Sequence, residues 1–204
     1  MSDLGERYEE HHRERRDEGD FVFVPERIPL LVEAIGRGKR VLDLGCRSGA
    51  LTRHFLEGNS VVGLDVDAAA LEKAAALGIE PVQANVEEPL PFEDESFDAV
   101  VAGELLEHLQ FPDALVAEIR RVLRPGGVLV GSVPNAFRLQ SRLRFLRGRP
   151  AEDDPTHLRM FSPDAMRDLL AAFANVRIDF VGGRYARLNA RLFARDLVFR
   201  AVRR

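Results

Sequence analysis

Residues 41–55 read Val-Leu-Asp-Leu-Gly-Cys-Arg-Ser-Gly-Ala-Leu-Thr-Arg-His-Phe. Val41, Leu42 and Leu44 make a short apolar strand, Gly45 and Gly49 bracket a turn, and Leu51, Phe55 and Leu56 recur at helical spacing. Asp43 lies within the strand. A second acid, Asp65, ends the next apolar run, VVGLDVD, residues 61–67. Glycines without side chains let a ligand approach the backbone where a helix begins. A carboxylate at the end of the second strand can hold a ribose through its hydroxyls. This stretch therefore predicts a nucleoside-bearing cofactor on a doubly wound α/β sheet.

Two common nucleotide templates fail. The dinucleotide fingerprint needs G-x-G-x-x-G in the first strand-to-helix turn, whereas this turn is Gly45-Cys46-Arg47-Ser48-Gly49. No Gly-Lys-Ser/Thr follows, so a phosphate-binding P-loop is excluded as well. An NAD-type reductase is further disfavoured because neither tyrosine, Tyr8 or Tyr185, has a lysine nearby.

The turn resembles the first motif, D-x-G-x-G-x-G, of class I S-adenosylmethionine (SAM) methyltransferases, with Arg47 at the middle glycine. Further segments follow in that family's order. Gly63-Leu-Asp-Val-Asp67 resembles the second motif, and Gln83-Ala-Asn-Val-Glu87 the adenine-binding segment, with Asn85 where aspartate is usual. Residues 92–109, FEDESFDAVVAGELLEHL, resemble the fourth strand and its loop. Val122-Leu-Arg-Pro-Gly-Gly127 resembles the turn before the fifth strand. The resemblance spans residues 40 to 135, about half the chain. It implies a Rossmann-like, doubly wound, seven-stranded sheet, mostly parallel with a C-terminal antiparallel strand. It also implies a SAM cofactor held by Asp43, Gly45, Cys46, Gly49, Asp65, Val66, Asn85, Val86, Ala102 and Gly103. Asp65 would take the ribose, and Asp43 would orient the glycine loop or reach the methionine amine. By analogy with the ubiquinone O-methyltransferases, Arg27 would contact the SAM carboxylate; its plain alternative is a helix-surface charge.

The 204 residues suit one domain, residues 1–204, with a polar arm at 1–20 and a substrate-side insertion at 135–160. Hydrophobic residues make up 46%, enough for a sizeable core, and no apolar run reaches membrane-spanning length. Cys46 is the one cysteine, which excludes an internal disulfide and makes a cytoplasmic location the default. It reads as a small packing residue rather than a nucleophile. Net charge is −4, unevenly spread: residues 138–204 carry 15 arginines against 7 acids. Arg138, Arg142, Arg144, Arg147 and Arg149 cluster just past the fifth strand, an anion-binding rim that Phe137, Phe145 and Phe161 would wall on the apolar side. The pI of about 5.8 disfavours nucleic acid as a partner. Nothing in the composition sets the oligomeric state.

Along the chain, helices are expected at 25–35, 48–57, 68–77, 112–122 and 163–173, the last with Ser162 as N-cap. Strands are expected at 40–44, 60–64, 81–84, 98–102, 128–133, 176–181 and 197–202, the last two as an antiparallel pair.

Chemistry is expected after the fourth strand. If Glu104-Leu-Leu-Glu107-His108 forms one helical turn, Glu104 shares a face with Glu107 or His108. Together with His157 in H-x-x-x-F-x-P, this resembles the metal-dependent O-methyltransferases. There Glu104, Glu107, His108 and His157 would hold a divalent cation that lowers the pKa of acceptor oxygens. The competing reading is a metal-free site in which Glu107 and His108 cap the loop, and His108, His157 or Glu104 acts in acid–base or substrate contact. His11, His12 and His54 read as surface or helix residues. A second resemblance, to the methionine-biosynthesis W family, rests on Ser132-Val-Pro-Asn135-Ala-Phe-Arg138, Arg142 and Gly148-Arg-Pro150. The expectation is SAM-dependent methyl transfer, to oxygen before nitrogen, on a small and anionic metabolite or glycan intermediate. The alternative, a silent SAM-binding partner of another enzyme, draws on Arg47 and Asn85.

Overall fold

The first apolar run folds as β1 (Arg40–Leu44), and the alternation of its side chains decides how the domain is layered. Val41 enters one apolar cluster, while Leu42 and Leu44 enter another. The same split recurs in β2 (Ser60–Asp65), where Val61 and Val62 part company, and in β4 (Phe97–Gly103), where Ala99 and Val101 oppose Val100 and Ala102. Strands apolar on both faces need cover on both faces, which is the condition for a doubly wound sheet.

The computed structural model describes residues 24–151 and 154–204. The polar arm, with His11 and His12, lies outside the described residues. A 3-10 turn, Pro25–Arg27, leads into α1 (Ile28–Ile35). After β1 come α2 (Arg53–Leu56), β2, α3 (Ala68–Ala76) and β3 (Glu80–Gln83). Then follow β4, a 3-10 turn at Leu106–His108, α4 (Pro112–Val122) and β5 (Leu123–Pro134). The chain ends with α5 (Leu139–Leu146), α6 (Pro163–Leu169), β6 (Ala174–Val181), α7 (Ala190–Phe193) and β7 (Asp196–Val202). The seven strands lie in the order β3-β2-β1-β4-β5-β7-β6. β1 to β5 are parallel; β7 is antiparallel to both β5 and β6 and inserts between them. The sheet is therefore of the expected type. No helix among the described residues is long and apolar enough to cross a membrane.

Several expected boundaries shift. The helix expected at 48–57 shrinks to α2, because residues 46–52 stay in turns. Thr52, fully buried, donates its hydroxyl to Asp43 Oδ2 at 2.6 Å, which pins that segment onto β1 instead of releasing it into a helix. α6 ends at Leu169, four residues short of the expected end, although Ser162 does cap it by accepting the Ala165 N–H. Phe161 belongs to the core with Met166 and Leu170 rather than to a substrate wall.

Register brings the rim together. Leu44 pairs with Leu64 on one side and with Ala102 on the other, and Gly103 pairs with Ser132. The loops after β1, β2 and β4 thus emerge at one height. Strand order reverses between β1 and β4, and this is where open α/β sheets bind ligands.

Candidate active site

Gly45 and Gly49 adopt φ of +70° and +81°, the left-handed region that only glycine enters without cost. Gly45 N–H and Cys46 N–H both donate to Leu64 O, which folds the turn back over the end of β2. Arg47 also sits in the left-handed region, at φ +49°. Its N–H donates to Asp65 Oδ2 at 2.9 Å, and the Asp67 N–H donates to Oδ1 at 2.9 Å. Asp65 therefore clamps the glycine turn to its own loop. Each carboxylate oxygen keeps a further lone pair for a ribose hydroxyl. Asp67 caps α3 through the Ala69 and Ala70 N–H groups. The Gln83 side chain donates to Val66 O, and Asn85 Oδ1 accepts the Glu87 N–H. Val66, Asn85 and Val86 are half-buried beside this rim. Ala102 is buried in β4, and Gly103 follows where a Cβ would lie 2.7 Å from Leu51.

Asp43 is 2% exposed and holds the loop through Thr52. Burial pushes its pKa up to about 7, opposed by the Thr52 hydrogen bond and reinforced by the Asp65 charge. Burial also raises Asp65, against its two backbone hydrogen bonds. Cys46 is buried, and its Sγ lies 2.6 Å from where a Cβ on Gly63 would stand. Burial and the two aspartates push the Cys46 thiol up, so it is no nucleophile at neutral pH.

A pH dependence follows from Asp43. Its folded pKa is raised, so the folded state binds the proton more tightly than the unfolded chain does. Stability from this group is full below the unfolded value and lost as pH rises toward about 7. Melting temperature should therefore fall between about pH 4 and pH 7, at up to about 1.4 kcal/mol per pH unit inside the window. Asp43→Asn should flatten that slope; an unchanged slope in thermal melts would refute the assignment.

On the opposite side of the rim, Arg27 is 6% exposed. Its Nη1 lies 2.9 Å from Glu104 Oε1 and 3.3 Å from Asp196 Oδ2. Burial and the Glu104 charge raise the Asp196 carboxyl, against three arginines: Arg27, Arg138 and Arg195. Glu104 has φ +55°, and its N–H donates to Ser132 O. Arg27 is thus a buried partner of two carboxylates of this chain, and the reading of it as a helix-surface charge is corrected. Local sequence gives Asp196 little to mark it as a partner of Arg27. Its one signal is an acid opening a mostly apolar strand.

Glu104 and Glu107 do not share a face. The 3-10 turn begins only at Leu106, and the left-handed Glu104 turns its side chain back toward Arg27. The remaining three predicted ligands do converge. One ligand atom each from Glu107, His108 and His157 lies within 4.8 Å of the others. Leu158 N–H and Arg159 N–H both donate to Glu107 O, stapling the distant loop to the turn. The two imidazoles meet edge to face, with ring centres 4.8 Å apart. Thr156 Oγ1 donates to Asp154 Oδ1 at 2.6 Å and so accepts from His108 Nδ1, 3.1 Å away. That selects the tautomer with its lone pair on Nε2. One carboxylate and two imidazoles are a donor set suited to a divalent transition ion.

Residues 42–131 match the family model described as a methyltransferase domain. A ubiquinone biosynthesis O-methyltransferase of Hahella chejuensis is 36% identical over 136 residues, which is 61% of this chain and 57% of that protein. A probable S-adenosylmethionine-dependent methyltransferase of Mycolicibacterium smegmatis is 33% identical over 162 residues, 76% of this chain and 60% of that protein. The chain thus spans less than two thirds of the length of these relatives. The crystal structure of a SAM-dependent methyltransferase from Archaeoglobus fulgidus superposes with a TM-score of 0.71 at 20% identity, covering 86% of this chain and 91% of that one.

Proposed function

We propose that this protein, whose residues 42–131 match the methyltransferase-domain model, is a class I SAM-dependent methyltransferase that transfers a methyl group from SAM to an oxygen atom of a small anionic metabolite. The observation that supports this most is Asp65, clamped between two backbone N–H groups at the switch point, next to a turn held at positive φ. That arrangement fits a nucleoside whose ribose diol takes the remaining carboxylate lone pairs. When bound, SAM supplies a methyl group already activated on a sulfonium, ready for in-line displacement.

The chain's own residues then have three tasks. Asp65 and the Gly45–Gly49 turn position the nucleoside, and Asp43 with Thr52 keeps that turn rigid. Asn85 and Val86 flank the base. At the far end, in this reading, His108 or His157 takes the proton of an acceptor hydroxyl as its oxygen attacks. Glu107, buried at 1% exposure, balances the resulting imidazolium.

A second reading of the same three side chains is favoured by their convergence. Glu107, His108 and His157 would hold a divalent cation that binds the acceptor oxygen and lowers its pKa. Glu104 has no part in that set.

The test uses purified protein, SAM and a panel of phenols, enols and hydroxy acids, with S-adenosylhomocysteine quantified. Production with an acidic hydroxyl acceptor is expected; no product, together with no calorimetric binding of SAM or S-adenosylhomocysteine, sinks the proposal. His157→Ala should lower turnover by about 10²–10⁴-fold, with S-adenosylhomocysteine affinity changed less than twofold. Loss of turnover in a chelator and its return with added Mg²⁺, Mn²⁺ or Zn²⁺ would select the metal reading. Indifference to the chelator would select the imidazoles alone.

A further inference from the structure

Residues 138–151 and 180–195 carry nine arginines and not one Asp or Glu. Folding brings these two acid-free segments to a single place. α5 and α7 pack together, and between them and the 183–185 turn lies a cleft of about 540 Å³. Arg138, Arg144, Arg147, Arg184 and Arg195 all line it. Apart from Gln140, its remaining wall is largely apolar, with Leu143, Leu192, Phe193 and Tyr185. Leu143 is 39% and Tyr185 50% exposed, so apolar surface is open to whatever enters.

We infer that this cleft binds the phosphate or diphosphate group of an amphiphilic small molecule, and that this molecule is the methyl acceptor. The inference rests on the methyltransferase reading above and names its substrate class. Five guanidinium groups line one cleft, two of them beside Asp196, and a polyanion is the counter-charge that suits such a set. A carboxylate saturates one planar guanidinium fork. A phosphate carries more charge and enough oxygens for several forks at once. The volume exceeds what a bare phosphate fills and lies within the usual range for organic ligands, roughly 300–1,000 Å³. The leucines and aromatic rings would then take an apolar body joined to the anionic head. Position links the cleft to the chemistry. Arg138 and Arg195 lie close enough to Asp196 to lower its proton affinity, and Asp196 contacts Arg27, which contacts Glu104 at the end of β4. An anionic head bound in the cleft therefore sits beside the same rim that would hold SAM.

The test is calorimetry on the full chain with three probes: geranyl diphosphate, inorganic pyrophosphate, and phosphatidylglycerol vesicles. S-adenosylhomocysteine binding is measured on every sample. Geranyl diphosphate is expected to bind one to one, at least tenfold tighter than pyrophosphate. Arg147→Gln/Arg184→Gln, which changes two exposed side chains, should weaken it by roughly 100-fold while S-adenosylhomocysteine affinity moves less than twofold. Equal affinities for the two diphosphates would overturn the amphiphile. Binding to vesicles without saturable binding of free geranyl diphosphate would make the patch a membrane contact and overturn the cleft as a small-molecule site. If S-adenosylhomocysteine binds and neither diphosphate does, this inference falls and the methyltransferase reading stands. If the diphosphate binds and S-adenosylhomocysteine does not, the cleft stands as a polyanion site, and its assignment as the acceptor site falls with that reading.

Discussion

Asp65→Ala should weaken binding of SAM and S-adenosylhomocysteine by about 100-fold or more, while the folded state changes by only about 1–2 kcal/mol. The two effects separate for a physical reason. In the folded protein, the Asp65 carboxylate accepts the Arg47 and Asp67 N–H groups but bears the cost of burial, which raises its pKa. Removing it deletes two good hydrogen bonds and one desolvated charge, and these contributions oppose each other. Binding has no such offset. The variant loses the charge-assisted bonds to the ribose diol, each worth about 1.5–3 kcal/mol, and it also unclamps the glycine turn. Asp65→Asn should fall between, since one acceptor oxygen remains. Calorimetry alongside thermal melts distinguishes the outcomes. Affinity within threefold of the parent would show that Asp65 does not face the nucleoside.

Gly131→Ala should cost at least about 3 kcal/mol and leave little folded protein at 37 °C. Gly131 lies in β5, paired with Ala102 of β4 and Phe199 of β7. A Cβ built there would stand 2.0 Å from Ala102 O and 2.5 Å from the tip of the Phe199 ring. The ring can shift; the carbonyl cannot, because it belongs to a central parallel strand packed on both faces. The strands would have to part where β4 and β5 carry Gly103 and Ser132 to the rim. Stability and the site should therefore fail together. A soluble variant with a chemical-denaturation midpoint near the parent's would refute this account. The contrast with Gly126 is informative. It has φ +76° and nothing within 4 Å of its would-be Cβ, so replacement there meets backbone strain alone.

The sheet was legible because its cause is local. A strand buried on both faces is apolar along most of its length, and residues 41–44 (Asp43 apart), 61–64 and 99–102 show this without any partner in view. The Gly45 turn and Asp65 were legible too, since positive φ and an acid ending a strand are marks carried by single residues. The arginine-lined cleft is only half legible in the sequence. Arginines cluster past β5 in one continuous stretch, whereas Arg184 and Arg195 join them only through the fold.

Where the reading failed, the cause lay in contacts between distant residues. Spacing placed Glu104 with Glu107 on an assumed helical turn; the backbone instead turns left-handed at Glu104 and delivers its carboxylate to Arg27. No spacing rule foresees Asp196, 169 residues from Arg27, as the second partner. The helix after the glycine turn shortened because Thr52 found Asp43, a preference for a buried hydrogen bond over helical propensity. Local patterning of apolar residues and glycines, then, was sufficient to specify the doubly wound sheet and the loop rim at its switch point, since each strand carries its own burial signal. Which charged groups face one another along that rim was decided only by tertiary structure, because the energy of a buried carboxylate depends on partners that the chain order keeps far apart.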